Sequence, residues 1–263
     1  MRAEKSPGLI MRMPLFLIVW GAASLAMYVP AIYGLVRDNN FGSRTFFYAG
    51  SMGLVLVTLI GLAVGSRPSR YSASGQLLSL FAAFAVLPLF LAMPFHHVLG
   101  TTTFLNAYFD MVSSVTTTGA NLYTDPARLP PVLHLWRAEV AWLGGFLMWV
   151  AASAILAPLS LGGFEVTQQG QPGRSVAAPQ QSLRADPRYR VLRIAKTLAP
   201  IYLGLTIAVW VLLLTAGERS LTALCHAMSV MATSGISPVG GVPEAQSGFQ
   251  GEAILFLFMF FAL

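Results

Sequence analysis

The sequence predicts an all-α membrane protein, a polytopic helical bundle in which the order helix, pore loop, helix occurs twice. Three observations carry this reading. Hydrophobic residues make up 56% of the 263 and charged residues 10%, a balance that soluble domains rarely show. Apolar runs cover residues 10–36, 46–65, 76–95, 133–160, 191–216 and 250 onward, each reaching or approaching the ~20 residues a helix needs to cross the hydrocarbon core. Finally, Ser114-Val-Thr-Thr-Thr-Gly-Ala-Asn121 and Val230-Met-Ala-Thr-Ser-Gly-Ile-Ser237 place one hydroxyl-rich, glycine-containing pattern twice between such runs.

Residues 1–74 are expected to form two N-terminal transmembrane helices. Arg2, Lys5 and Arg12 before the first run, with Ala22, Ala23 and Ala26 inside it, resemble a secretory signal. The run continues through Tyr28, Ile32 and Leu35, beyond the ~7–15 residues of a signal's apolar region, which favours a retained span. Residues 75–161 form the first pore repeat, with a short helix over Thr103–Ser114 ahead of the loop. Residues 162–190, rich in Gln, Pro and Gly, read as a flexible cytoplasmic linker; contact of this basic stretch with anionic lipid or a regulatory partner is the alternative. Residues 191–263 form the second repeat, with its short helix over Leu221–Met231, truncated in its last helix. The final run stops at Leu263 without a polar flank, so the chain is expected to be the front part of something longer.

The two loops are related by a single offset. Thr117 and Thr233, Gly119 and Gly235, and Ser113 and Ser229 each lie 116 residues apart, the mark of a duplication. A β-branched, hydroxyl-rich run should hold the backbone extended until a glycine permits an unusual turn. Successive carbonyl oxygens can then face one axis and replace the water around a cation. The short helix before each loop would aim its negative C-terminal end at the same place.

Charge sets an orientation by the excess of Lys and Arg on the cytoplasmic side. With the N-terminus inside, the inner segments hold eleven basic and three acidic residues, the outer ones five basic and seven acidic. The net charge of +6 is thus a topology signal, and nucleic-acid binding is the weaker reading. Cys225 is the single cysteine, which excludes an intramolecular disulfide. His96, His97, His134 and His226 lack metal-site spacing and are expected near the outer interface or in local packing. No catalytic constellation is visible, so the chain does not read as an enzyme. Asp110 either draws cations or pairs with Arg137. Gly144 and Gly145 read as sites of close helix contact, and Trp20, Trp136, Trp142, Trp149 and Trp210 as interface anchors or bundle packing.

The residues Ser113-Ser-Val-Thr-Thr-Thr-Gly-Ala120, Leu135-Trp-Arg-Ala-Glu-Val-Ala-Trp-Leu-Gly-Gly145 and Ala195-Lys-Thr-Leu-Ala-Pro-Ile-Tyr-Leu-Gly-Leu-Thr206 carry a resemblance. The chain resembles the TrkH/KtrB/HKT superfamily of potassium and sodium translocating proteins, on its bacterial TrkH and KtrB branch, over most of the sequence after residue 75. The resemblance implies four pore repeats around a pseudo-fourfold axis, of which two are present. It implies backbone carbonyls of Thr117, Thr118, Gly119, Thr233, Ser234 and Gly235 as potassium ligands in the selectivity filter. The glycines at 119 and 235 imply potassium over sodium, while Ala232 and Ser234 depart from Thr116 and Thr118 of the first loop. It further implies potassium uptake across the bacterial inner membrane with no covalently bound cofactor, a homodimer, and a cytoplasmic nucleotide-binding regulatory subunit of the TrkA or KtrA type. The alternatives are an incomplete or regulatory membrane subunit that does not conduct alone, and a sodium-permeable relative.

Overall fold

The computed structural model describes residues 13–65, 73–123, 125–156 and 187–262. Regular structure among them is helical: α1 (Leu15–Ala26), α2 (Tyr28–Val36), α3 (Asn40–Gly65), α4 (Ala73–Ala85), α5 (Leu87–Leu99), α6 (Phe104–Val115), α7 (Pro131–Ala151), α8 (Pro187–Thr215), α9 (Ser220–Met231) and α10 (Gly248–Ala262). A single 3-10 turn at Pro126–Arg128 precedes α7, and a π-turn at Ala152–Leu156 follows it.

Among the described residues, four stretches are long and apolar enough to cross a membrane: Leu15–Val36, Asn40–Val64, Gly75–Leu99 and Arg190–Thr215. Two of them are interrupted near a proline. Pro30 has no amide to offer the Ala26 carbonyl, and α1 gives way to α2 at Met27; Pro88 has none for Phe84, and α4 gives way to α5 at Val86. The fourth expected run is helix α7. It carries Arg137 and Glu139 and is buried from Val132 to Ala141, so it belongs to the interior of the bundle.

Helix α8 begins at Pro187, where a first-turn proline is favoured because its missing amide has no partner in any case. The expected linker 162–190 is therefore four residues shorter at its C-terminal end, and its remainder to residue 186 lies outside the described residues. Arg2, Lys5, Arg12, Arg67, Arg70, Arg174 and Arg184, on which much of the orientation rests, also lie outside them.

The chain runs through α4–α5, α6, a loop and α7, then through α8, α9, a loop and α10, the same order twice. Helix α7 is the shared wall, packed against both short helices α6 and α9. Adjacent glycines make this possible. A Cβ on Gly144 would collide with the Val115 carbonyl that ends α6, and one on Gly145 would lie 3.0 Å from Ala232 Cα at the end of α9. Both are packing residues, as the sequence implies.

Trp136 of α7 is fully buried, donates from Nε1 to the Leu91 carbonyl at 3.3 Å and meets Phe46 edge-on at 5.4 Å. Burying the indole with its N–H satisfied ties α7 to α5 and α3. On the opposite side Trp142 donates to Thr206 at 2.9 Å, and the Tyr202 hydroxyl donates to the Trp142 carbonyl at 3.1 Å. These tryptophans pack the bundle rather than anchor it at an interface.

Candidate functional site

The short helices end in the same pair of backward bonds. After α6, the amide of Thr117 donates to Ser114 at 2.9 Å and that of Thr118 to Ser113 at 2.9 Å; after α9, Thr233 donates to Val230 at 3.1 Å and Ser234 to Ser229 at 3.0 Å. These paired backward bonds form the terminal motif in which one residue must be left-handed. That residue is usually glycine, yet here φ is +57° at Thr117 and +52° at Thr233, with the glycines following at +67° (Gly119) and +69° (Gly235). A β-branched residue in this region is strained, on the order of 1–3 kcal/mol. The extended approach expected from the sequence is thus replaced by a turn that starts two residues before each glycine. The cause is capture of the loop amides by the carbonyls at the helix end.

With those amides turned back, the carbonyl groups are free. Among the described residues no donor reaches the carbonyl oxygens of Thr117, Thr118, Gly119, Thr233, Ser234 or Gly235. The loops also touch, because a Cβ on Gly119 would fall on the Ser234 carbonyl oxygen. Among the described residues, its chain neighbours aside, Gly235 has no atom within 4 Å of its absent Cβ. It lies on a cavity of about 240 Å³ with Thr233, His226, Ser229 and Ser237. Thr118 is exposed, its hydroxyl 2.9 Å from that of Thr116.

Beyond each glycine the chain is clasped to its short helix, and here the repeats differ. Arg137 Nε lies 2.9 Å from Asp110 Oδ2, with the two side chains 3% and 1% exposed. Among the described residues neither Arg137 Nε nor the Asp110 oxygens make an aligned hydrogen bond, so the contact rests on charge attraction. Arg137 Nη2 also donates to Asn121 Oδ1 at 3.3 Å, and Asn121 holds Tyr123 through its amide and carbonyl. Of the two roles open to Asp110, the structure favours pairing. At the same offset, position 110 becomes His226, position 121 becomes Ser237, and the arginine becomes Ala253. His226 Nε2 meets Ser237 Oγ directly at 2.9 Å. The sequence reading missed Asn121, Ser237 and this clasp, although adding 116 to each first-loop position would have found them. His134 is likewise used locally, its Nε2 2.9 Å from the Pro126 carbonyl.

The entry to α9 is tied to the start of α10 by Glu218. Its carboxylate accepts from the amide and hydroxyl of Ser247 at 3.0 and 2.8 Å and from the Arg219 amide at 3.0 Å. Burial alone would raise its pKa, but the hydrogen bonds from Ser247 and Arg219 outweigh it and hold the carboxyl below its ordinary value of 4.5. A group whose folded pKa is depressed stabilises the fold above its unfolded pKa, and that contribution fades as pH falls through the folded value. Acid unfolding of the purified chain should therefore lose its Glu218 component below about pH 4.5, and Glu218→Gln should flatten that part of the stability profile. Glu218→Ala, which leaves the donors without an acceptor, should lower stability at pH 7 by about 1.5–3 kcal/mol; an unchanged unfolding temperature would refute the clasp.

The sequence profile of the TrkH cation transport proteins matches residues 91–261. The Trk system potassium uptake protein TrkH of Salmonella typhimurium is 30% identical over 215 residues, covering 80% of this chain and 42% of that protein. The Trk system potassium uptake protein TrkI of Halomonas elongata is 33% identical over 225 residues, covering 84% of this chain and 43% of that protein. The chain thus spans less than half the length of these curated relatives. The crystal structure of the potassium transporter TrkH from Vibrio parahaemolyticus superposes with a TM-score of 0.74 at 24% identity, over 95% of this chain and 48% of that one, which establishes a shared fold. The profile match and the identity to full-length relatives agree with the duplicated loops, and on that ground the chain belongs to the TrkH family of cation transport proteins.

Proposed function

We propose that this multi-pass membrane chain supplies two of the loops of a potassium-selective filter, with the carbonyls of Thr117, Thr118, Gly119, Thr233, Ser234 and Gly235 as ion ligands. The supporting observation is the left-handed turn repeated at one offset, which ties up the amides and leaves the carbonyls unclaimed. Oxygens fixed in this way replace a cation's hydration shell without reorganising when it arrives. Two touching loops enclose only part of a ring, and the open space beside Gly235 is where further loops would close it. Ion movement would run down the electrochemical gradient, with a negative interior contributing ~2.3 kcal/mol per charge per 100 mV. The chain would sit in the bacterial inner membrane with its N-terminus in the cytoplasm. It would act as a homodimer with a cytoplasmic nucleotide-binding subunit, and any nucleotide would bind that partner. The named relatives are components of Trk systems, which supports a multi-subunit assembly.

The test is rubidium uptake and potassium-limited growth in a transport-deficient host expressing the natural gene, with sodium as competitor. Rubidium uptake that excess potassium suppresses and equal sodium does not is the expected result. Uptake suppressed equally by sodium would mark a sodium-permeable relative, and Gly119→Asp without effect would remove the filter assignment.

A further inference from the structure

We infer that the bundle binds an anionic phospholipid, one acyl chain inserted between α1, α7 and α8 and the headgroup held at the first turns of α8. A cavity of about 160 Å³ runs from Leu15, at the start of α1, past Val150 and Val191 to Val115 and Gly144 beneath the first short helix. Its lining is apolar along its length. Such a cavity stays dry and accepts an apolar guest, and the guest that a bilayer offers is an acyl chain.

The identity of the headgroup comes from charge. Leu15 opens α1 and Val191 lies in the second turn of α8, so one end of the cavity opens where those helices begin. There α8 carries Arg190, Arg193 and Lys196. Arg193 and Lys196 are exposed, and Arg190 Nε is out of water with no hydrogen-bond partner among the described residues. The ion pair between Arg137 and Asp110 is the one found among the described residues, so none of these three cations is neutralised by them. Basic residues flanking a crevice between membrane helices select phosphate headgroups, and a guanidinium lacking a partner is completed by phosphate oxygens. An apolar slot with a cationic mouth fits a lipid carrying both a tail and a negative head.

Lipid titration of the purified chain, followed by native mass spectrometry and thermal unfolding, tests this with three probes: phosphatidylglycerol, phosphatidylcholine and glycerol phosphate. Phosphatidylglycerol should bind and raise the unfolding temperature, while phosphatidylcholine, whose choline cancels the phosphate charge and repels the three cations, and glycerol phosphate, which has no acyl chain, should do neither. The triple variant Arg190→Ala, Arg193→Ala, Lys196→Ala should weaken phosphatidylglycerol binding on the order of a hundredfold, at roughly tenfold or less per charge. Ala195→Phe, which fills the slot and keeps the cations, should also block binding. Should that variant fail to fold, the triple variant decides alone, since its changes lie at the end of α8. Equal binding of phosphatidylcholine, or unchanged phosphatidylglycerol binding by the triple variant, would overturn the site.

Discussion

Gly119→Ala is expected to lower rubidium uptake by about a hundredfold or more, whereas Gly235→Ala lowers it by about tenfold. Both glycines sit at left-handed φ, +67° and +69°, where any L side chain adds about 1–2 kcal/mol. A penalty of that size shared by both sites accounts for roughly a tenfold loss. Only Gly119 has a second penalty, because its new methyl group would occupy the position of the Ser234 carbonyl oxygen, while Gly235 meets nothing within 4 Å. Relief would require one loop to retreat from the other, displacing a proposed ion ligand from each. Uptake per membrane-inserted molecule is the measurement. Equal losses in the two variants would mean that the loops do not form one site, or that further contacts close over Gly235 as tightly as over Gly119.

The bundle was legible because its signals are local. Runs of ~20 apolar residues mark spans without reference to the rest of the chain, and the short helices expected over Thr103–Ser114 and Leu221–Met231 are found at Phe104–Val115 and Ser220–Met231. The loop glycines were legible for the same reason, since their special φ is written into the residue type. Thr117 and Thr233 were not. Threonine's intrinsic preference is extended, and what overrides it is the set of helix-end carbonyls that draws the following amides backward. Pro187 as the start of α8 was obscured by the polar, glutamine-rich composition ahead of it.

Sequence reasoning offered pairing with Arg137 as one of two roles for Asp110 but could not choose between them, for a different reason. A carboxylate 27 residues ahead of an arginine has no local signature of pairing, and only the packing of α7 against α6 brings them together. The duplication itself held the missing information. Positions 110 and 121 recur as His226 and Ser237, and the two pairs do one job with different chemistry. A short carboxylate cannot reach across the loop and needs Arg137 as an intermediary. An imidazole reaches unaided, and the arginine's counterpart can be Ala253.

That difference makes Arg137 the side chain outside the loops with the largest expected effect. Arg137→Gln would leave the Asp110 charge 1% exposed with no counter-ion, and breaking a buried pair from one side destabilises by about 3–5 kcal/mol. The double variant Asp110→Asn, Arg137→Gln removes both charges and should recover most of that loss, since a neutral pair of similar shape carries no unpaired ion. Ser237→Ala in the second repeat removes only neutral hydrogen bonds, to His226, Val239 and Gly241, and should lower stability by about 1–3 kcal/mol. Unfolding in detergent measures all three. A bracing role for Arg137 also requires a functional change that recovered stability does not reverse, because Asn121 would still lose its donor at 3.3 Å. The double variant should therefore fold well yet discriminate less between potassium and sodium than the parent chain. Restoration of both stability and discrimination would make the ion pair a matter of packing alone, and a single variant as stable as the double would show that Asp110 is not held as a charge at all.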